Sequence, residues 1–178
     1  MSFSGPVDKR YHVALAEIQS SLVVHQLNNP GAPFVVGCGL HHMDMKSAQI
    51  CYGSPEFQLT KAAIAQIGRW YGLPTWGYAG CTDAKTVDEQ AAAESMLSVV
   101  MAKLSGANLI HDVGYVESGL TTSFEMIVLT DELVTLADNL MKGKANEVKT
   151  LVEQALADKE EPAKILNEGL LAGMGVIG

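Results

Sequence analysis

Cysteine is scarce in this chain, and its spacing argues against two classes of small protein. The 178 residues include three cysteines, Cys38, Cys51 and Cys81, and no Cys-x-x-Cys pair. An odd number of scattered cysteines is not typical of a disulfide scaffold or of a paired zinc motif. The N-terminus shows no cleavable signal pattern, so we expect reduced thiols and a cytoplasmic protein.

Long hydrophobic runs and basic clusters are lacking as well. Charged residues, Gln or Asn interrupt every apolar helical pattern before it reaches the roughly 20 residues that span a bilayer. Lys and Arg number 12 against 20 Asp and Glu, a net charge of −8, and the basic residues form no run. Because phosphate neutralisation needs clustered positive charge, we expect neither a membrane nor a nucleic acid as partner.

Apolar residues, by contrast, make up 48% of the chain, enough for one domain with room for a small second piece. Helical spacing predicts helices over residues 8–28, 55–71, 87–104 and 123–141. Compact apolar runs predict buried strands over residues 33–40, 76–80 and 107–116. Alternation of this kind predicts an α/β fold, in which a parallel sheet is built by right-handed crossovers.

The stretch that follows the second predicted strand is the first candidate for a site. Thr82-Asp83-Ala84-Lys85 lies between that strand and the next helix, and ligands of such sheets bind beyond the carboxyl ends of the strands. Asp83 and Lys85 are therefore candidate functional residues. The alternative is that Asp83 caps the following helix and that Lys85 points to solvent.

Seven short motifs, each weak alone, occur in an order that resembles the trimethylamine:corrinoid methyltransferase family over residues 5–143. They are Asn-Pro-Gly-Ala-Pro at 29–33, Met-Asp-Met at 43–45, Tyr-Gly-Ser-Pro-Glu at 52–56, Tyr-Gly-Leu-Pro at 71–74, Thr-Asp-Ala-Lys at 82–85 with Asp88 and Gln90, Leu-Ser-Gly-Ala-Asn-Leu-Ile at 104–110, and Glu-Ser-Gly-Leu at 117–120.

The resemblance implies a methyltransferase that moves a methyl group from a methylated amine to the Co(I) of a corrinoid protein. The family fold is a TIM barrel, and a complete barrel typically takes about 250 residues. The resemblance implies that residues 1–143 are the C-terminal part of such a barrel. The donor would be trimethylamine or a quaternary amine such as glycine betaine. Some family members use pyrrolysine, and the resemblance would place that position, if it lies in this piece, at Gly80-Cys81.

Residues 144–178 differ in character. They predict a helical hairpin and resemble the start of the helical cap of a methyltransferase corrinoid protein. The cobalt-ligating Asp-x-His-x-x-Gly motif is absent from the chain. We therefore expect no directly bound cofactor, and cobalamin would come with the partner protein. A fusion of neighbouring genes would explain such a tail, and a homo-oligomer stays open.

The chemistry of a methylated cation selects the remaining site residues. A quaternary ammonium needs aromatic faces and a carboxylate. Tyr52, Trp76, Tyr78 and Tyr115 lie at or near predicted strand ends, with Asp44, Asp83 and Glu117 close in sequence. His111 and Lys85 are candidates for binding a carboxylate or the corrinoid. The alternative is that the aromatic residues are core and that the acids are helix caps.

Two other functions remain open. Cys38, His41, His42 and Cys51 suggest zinc, but adjacent histidines do not readily share one tetrahedral site. A non-catalytic module that docks on a corrinoid protein through acidic helices is the second alternative. Gly77-Tyr78-Ala79-Gly80 lacks the full G-x-G-x-x-G spacing, so nucleotide binding is not predicted.

Overall fold

The computed structural model describes residues 6–37 and 39–157. They form five α-helices: α1 (Pro6–Asn28), α2 (Pro55–Trp70), α3 (Glu89–Ser105), α4 (Phe124–Met141) and α5 (Ala145–Ala157). The four helices expected before residue 143 are thereby confirmed to within about two residues at each end. No helix in the described part of the chain is both long and apolar enough to cross a membrane.

Local capping chemistry sets where three helices begin. The side chains of Ser54, Asp88 and Ser123 accept hydrogen bonds from the backbone N–H groups of Phe57, Ala91 and Met126 in the first turns of α2, α3 and α4. Pro55 occupies the first turn of α2, where its missing N–H leaves no bond unmade. The cap of α3 is thus Asp88 and not Asp83, which frees Asp83 for other contacts.

The described residues also contain four short strands, which lie between α2 and α4 in the chain and form two separate pairs. β1 (Trp76–Tyr78) pairs in parallel with β2 (Leu109–His111), and Tyr78 lies opposite His111. β3 (Tyr115–Val116) pairs antiparallel with β4 (Thr121–Thr122). The fold is therefore a mixture of helices and strands around a short parallel pair.

The predicted strands are longer than the observed ones. Of the described residues within 33–40, only Val36 makes a ladder contact, a parallel bridge to Thr75 that continues the sheet on the other side of β1. The third predicted strand ends at His111, because Asp112 (φ 70°) and Gly114 (φ 89°) adopt left-handed conformations that turn the chain. Parallel pairing is confirmed, but the extent of the sheet was overestimated.

Helices cover one face of the parallel pair. Ala79, which follows β1, packs against Met96, Val99 and Val100 of α3 and against α4. Side chains alternate between the faces of a strand, so Trp76 and Tyr78 lie on the same face of β1, opposite Gly77. A second core joins Val36 to Ala14 and Ile18 of α1.

The C-terminal region is described only as far as residue 157. The predicted amphipathic helix is observed as α5, in which Val148 is buried. The second helix of the predicted hairpin lies outside the described residues. The division into residues 1–143 and 144–178 stays a prediction.

Gly80 provides a test of how tightly the sheet is packed against α4. Its φ is 75°, and a Cβ at this position would meet Thr130 Cγ2 at 2.6 Å. Gly72 has a similar φ of 68° with open space around it. We expect Gly72→Ala to lower the free energy of unfolding by about 1 kcal/mol through backbone strain alone. Gly80→Ala should cost a further 1–3 kcal/mol or so, because overpacking is added. Equal losses in urea unfolding would contradict the packing described here.

Candidate functional site

Aromatic rings converge at the carboxyl end of β1. Phe57 of α2 lies with its ring centroid 5.2 Å from that of Tyr52 and 6.2 Å from that of Tyr78. The His41 ring stacks on Phe57 at 5.3 Å and meets Tyr78 edge-on at 5.5 Å. Tyr52 and Phe57 are buried, so the rings exclude water from the space that they surround.

A row of rings continues from this point across the sheet. The His111 ring lies 4.1 Å from Tyr78 and 5.1 Å from Trp76, because Tyr78 and His111 are opposite each other in the parallel pair. Phe57, Tyr78, His111 and Trp76 are called the ring row below. Its Phe57 end is buried, whereas Trp76 is 45% exposed and gives the row an open end.

A lysine lies among these rings. The Lys61 Nζ is 3.1 Å from the centroid of Tyr78 and 3.7 Å from that of Phe57. This nitrogen is buried and has no hydrogen-bond partner in the part of the chain that the structure describes. Loss of hydration lowers the pKa of this amine from 10.5 to about 7, although the nearby Cys81 and Asp112 act in the opposite direction.

His111 carries the second unpaired nitrogen of the ring row. Its Nδ1 lies 2.5 Å from the Asp112 carboxylate, which holds the imidazole in one orientation. Its Nε2 is buried, and none of the described residues forms a hydrogen bond with it. Asp112 takes this position in a left-handed conformation (φ 70°), a local strain of the kind found at functional sites.

Asp83 connects three loops near the rings. The backbone N–H groups of Tyr52 and Gly53 donate to its two carboxylate oxygens, each at 2.8 Å. The Ser118 hydroxyl donates to the same carboxylate at 3.0 Å. These donors occupy both oxygens, so the geometry makes Asp83 a positioning residue. A catalytic role for it stays a prediction.

Glu94 of α3 holds Asp83 in place from behind. Its carboxylate accepts from the Asp83 backbone N–H at 2.7 Å and from the Thr82 hydroxyl at 2.6 Å. A Cβ at Gly53 would lie 2.6 Å from this carboxylate, so a larger residue there would displace Glu94 from these hydrogen bonds. No sequence pattern singles out Glu94, since a glutamate near the start of a helix is usually solvated.

Lys85 and Glu117 lie away from the rings. The Lys85 side chain is 73% exposed, and its Nζ lies 3.9 Å from Glu117, a weak surface pair. Glu117, Ser118 and Gly119 all have positive φ, at 52°, 56° and 83°. This turn places the Ser118 hydroxyl on Asp83 and leaves Glu117 near the surface.

Asp44 forms a local turn of its own. The carboxylate of this exposed residue accepts from the backbone N–H groups of Lys46 and Ser47, at 3.3 and 3.0 Å, and from the Ser47 hydroxyl at 2.6 Å. These bonds hold the pKa of Asp44 below its usual value. Tyr115, by contrast, packs against the buried Tyr52, Phe57 and Cys81.

We expect the aromatic and acidic candidates to surround one binding site, and the structure brings only some of them together. Five candidates lie in or beside the rings: Tyr52, Trp76, Tyr78, Tyr115 and His111. Asp83 supports them. The carboxylates of Asp44 and Glu117 accept hydrogen bonds from donors in their own turns, and the exposed Lys85 lies near Glu117 at the surface. Their functional roles stay predictions, and they are not included in the site that we propose.

Phe57 and Lys61 are the site residues that the sequence reasoning missed. A signal was present: Phe57, Lys61, Ile64 and Ala65 recur at the i, i+4, i+7 and i+8 spacing of one helix face. Phe57, Ile64 and Ala65 are fully buried. The pattern thus places Lys61 on the buried face of α2, although lysine is normally expected in water.

The zinc alternative gains no support from the described residues. They contain no group of three His, Cys, Asp or Glu side chains arranged to hold a metal ion. Cys38, one of the four suggested ligands, lies outside them. Burial raises the pKa of the Cys81 thiol to about 12, so this cysteine is a neutral packing group at physiological pH.

Comparison with known proteins identifies one family. The model of the trimethylamine methyltransferase (MTTB) family matches residues 7–166. Trimethylamine methyltransferase MttB of Methanosarcina barkeri (strain Fusaro) is 35% identical over 141 residues, which cover 79% of this chain and 28% of the relative.

Bacterial relatives match this chain with similar identity and coverage. Glycine betaine methyltransferase of Desulfitobacterium hafniense (strain Y51) is 36% identical over 129 residues, covering 72% of this chain and 27% of the relative. MttB of another strain of that species is 30% identical over 152 residues, covering 85% and 31%. The chain therefore spans less than a third of the length of the curated relatives it matches.

The role of Asp83 as a link between loops can be tested against a matched control. Asp83 and Asp44 each accept from two backbone N–H groups and one serine hydroxyl, but Asp44 is exposed and its donors are local. We expect Asp83→Asn to lower the free energy of unfolding by about 2–4 kcal/mol, because an amide leaves buried donors unpaired. Asp44→Asn should cost less than about 1 kcal/mol. If chemical denaturation gives similar losses of unfolding free energy for Asp83→Asn and Asp44→Asn, Asp83 does not have this role.

The buried amine of Lys61 predicts a pH dependence of stability. Its pKa is lowered in the folded protein to about 7, so the unfolded chain binds the extra proton between pH 7 and 10.5. Stability therefore rises with pH in this window, by at most about 1.4 kcal/mol per pH unit from this group. Between about pH 7 and 8.5, urea unfolding should give an increase of roughly 1–2 kcal/mol. Lys61→Met should remove it, whereas Lys85→Met should leave it. An unchanged slope in Lys61→Met would refute this assignment.

Proposed function

The chain belongs to the trimethylamine methyltransferase family, and we propose that it forms the C-terminal part of a (β/α) barrel that demethylates a methylated amine. The donor would be trimethylamine or a quaternary amine such as glycine betaine, and the methyl group would pass to a corrinoid protein. The observation that carries the proposal is the ring row, which offers aromatic faces to a cation in the region of the family match.

The order of the elements supports part of a barrel. The segment at Val36, β1 and β2 lie side by side in chain order and run in parallel. α2 and α3 connect them, and α3 and α4 cover the face of Ala79. In a barrel, helices lie outside and the other face of each strand points inward. Trp76 and Tyr78 would then point into the barrel.

The rings suit the positive charge of a methylated ammonium. Such a cation has no N–H donor in its quaternary form, so it is attracted to ring faces and not to hydrogen-bond acceptors. Trp76 is the strongest cation-binding ring type and lies at the open end of the row. His111, held by Asp112, lies between it and Tyr78.

The protein contributes position and exclusion of water. The ring row would hold the ammonium, and the Asp83 hydrogen bonds fix the loops that carry Tyr52 and Ser118. When the C–N bond of a quaternary amine breaks, its electron pair stays on nitrogen, and a neutral amine leaves without a protein acid. Reactants held in this way gain rate mainly from orientation.

The corrinoid would belong to the partner. Its Co(I) would supply the electron pair that accepts the methyl group. The chain lacks the Asp-x-His-x-x-Gly motif that would ligate cobalt. The open end of the ring row at Trp76 is the part of the site to which such a partner would have access.

Reconstitution tests the proposal. The chain would be combined with the remaining barrel part of a family member and with a corrinoid protein reduced to Co(I), and methylation would be followed by the visible spectrum. We expect transfer from trimethylamine or glycine betaine that requires this chain. Absence of transfer from both donors in the reconstituted barrel would contradict the proposal.

A pair of tryptophan variants tests the ring row in the same assay. Trp76→Ala removes a ring of the row, whereas Trp70→Ala removes a ring that is 79% exposed at the far end of α2. Loss of a cation–π contact of about 2 kcal/mol corresponds to a fall of roughly 30-fold in kcat/KM. Trp70→Ala should keep the wild-type rate. A Trp76→Ala variant with wild-type kcat/KM would exclude the ring row as the donor site.

A further inference from the structure

Packing and the proposed reaction do not explain the chemistry of Lys61. Its Nζ is buried beside Phe57 and Tyr78 and has no hydrogen-bond partner among the described residues. A lysine amine has three donors, and burying them without an acceptor is costly. Buried polar groups that lack a partner in one state are commonly paired in another, as when a ligand is bound.

The groups that face Lys61 do not supply this acceptor. They are His41 from the loop before α2, Tyr78 from β1, Cys81 after β1 and Asp112 after β2. Asp112 is the carboxylate among them, and its Oδ1 is bonded to His111. Cys81 is a neutral thiol, since burial raises its pKa to about 12. No described residue therefore provides an acceptor to Lys61 in this structure, and a ligand would be able to supply one.

We propose that Lys61 determines which methylated amines the site accepts, by pairing with an anionic group on the donor and by repelling donors that are simple cations. The proposal rests on the proposed function, since it assigns the donor to the ring row. The ligand class that it names is a zwitterion, a methylated ammonium that carries a carboxylate.

The ring row has the layout that such a zwitterion needs. Tyr78 contacts both the Lys61 amine, at 3.1 Å, and the His111 ring, at 4.1 Å. His111 in turn lies 5.1 Å from Trp76. The positive amine is thus at the buried end, and rings without a bound cation are at the open end. A donor that enters with its carboxylate first would bring its ammonium onto His111 and Trp76.

A simple cation would bind differently. The faces of Phe57 and Tyr78 already contact one amine, so a second positive charge there would meet repulsion in a water-poor space. A simple methylammonium ion also leaves the Lys61 donors unpaired. Both effects favour the zwitterion and have the same origin in the charge of Lys61.

The experiment measures binding of glycine betaine and of tetramethylammonium to the full chain by calorimetry at pH 6. Lys61→Met keeps an unbranched side chain that is one atom shorter and removes the charge, and Lys85→Met is the control for a surface lysine. We expect the wild type to prefer glycine betaine. In Lys61→Met the affinity for glycine betaine should fall about tenfold and that for tetramethylammonium should rise about tenfold, while Lys85→Met should match the wild type.

A pH series on the unaltered protein gives a second readout that does not depend on a variant. As the pH rises from 6 to 9, Lys61 loses its charge, and the preference for glycine betaine should shrink in the wild type. In Lys61→Met, which still contains His41, the preference for glycine betaine should stay constant over the same pH range. A preference that changes equally in both proteins would assign the effect to His41 and overturn the proposal.

The remaining outcomes separate this inference from the proposed function. If both ligands bind and Lys61→Met changes neither affinity, or both in the same direction, Lys61 does not select the donor and the ring row still stands as the donor site. If neither ligand binds the wild type or Lys61→Met, the inference fails together with the assignment of the ring row in this chain. Methyl transfer in the reconstituted barrel then decides whether the family reaction takes place at another site.

Discussion

The hydrogen bonds of one carboxylate hold the site together. Asp83 is bonded to Tyr52, Gly53 and Ser118, residues 30 to 35 positions away in the sequence, and so joins the loop before α2, the loop after β1 and the turn after β3. Glu94 fixes the Asp83 backbone from α3. Tyr52 reaches Phe57, and through it the ring row, only because this network sets the path of its backbone.

The ring row depends on a different constraint, the parallel pairing of two short strands. Opposite positions in β1 and β2 bring Tyr78 against His111, while alternation along β1 puts Trp76 on the same face. The opposite face is closed by α3 and α4, with Gly80 allowing close approach of Thr130. Packing on one face thus leaves the rings of the other face available to a ligand.

The family match shows what share of a longer relative this arrangement represents. The matched residues cover 28% of the Methanosarcina barkeri relative. The parallel segments at Val36, β1 and β2 suit a section of a larger sheet. Such a section would explain why the Trp76 ring and the edge of the sheet are exposed, since neighbouring elements of the larger sheet would cover them or pair with them. In the proposed site, the charge of Lys61 would distinguish one donor class from another.

The sequence by itself determined the local features. Helix starts at Ser54 and Ser123, the stop at Gly72 and the parallel order of the elements follow from capping, backbone freedom and periodicity, which involve residues a few positions apart. The aromatic candidates at the strand ends were also visible in the chain, whereas Phe57 on α2 was not singled out, because its contact with Tyr78 depends on the tertiary fold. Only the tertiary structure decided that Asp83 joins loops, that Asp44 and Glu117 serve their own turns, and that Lys61 is buried among rings. The bonding of a carboxylate and the hydration of an amine depend on groups that are distant in sequence, and folding alone brings those groups together.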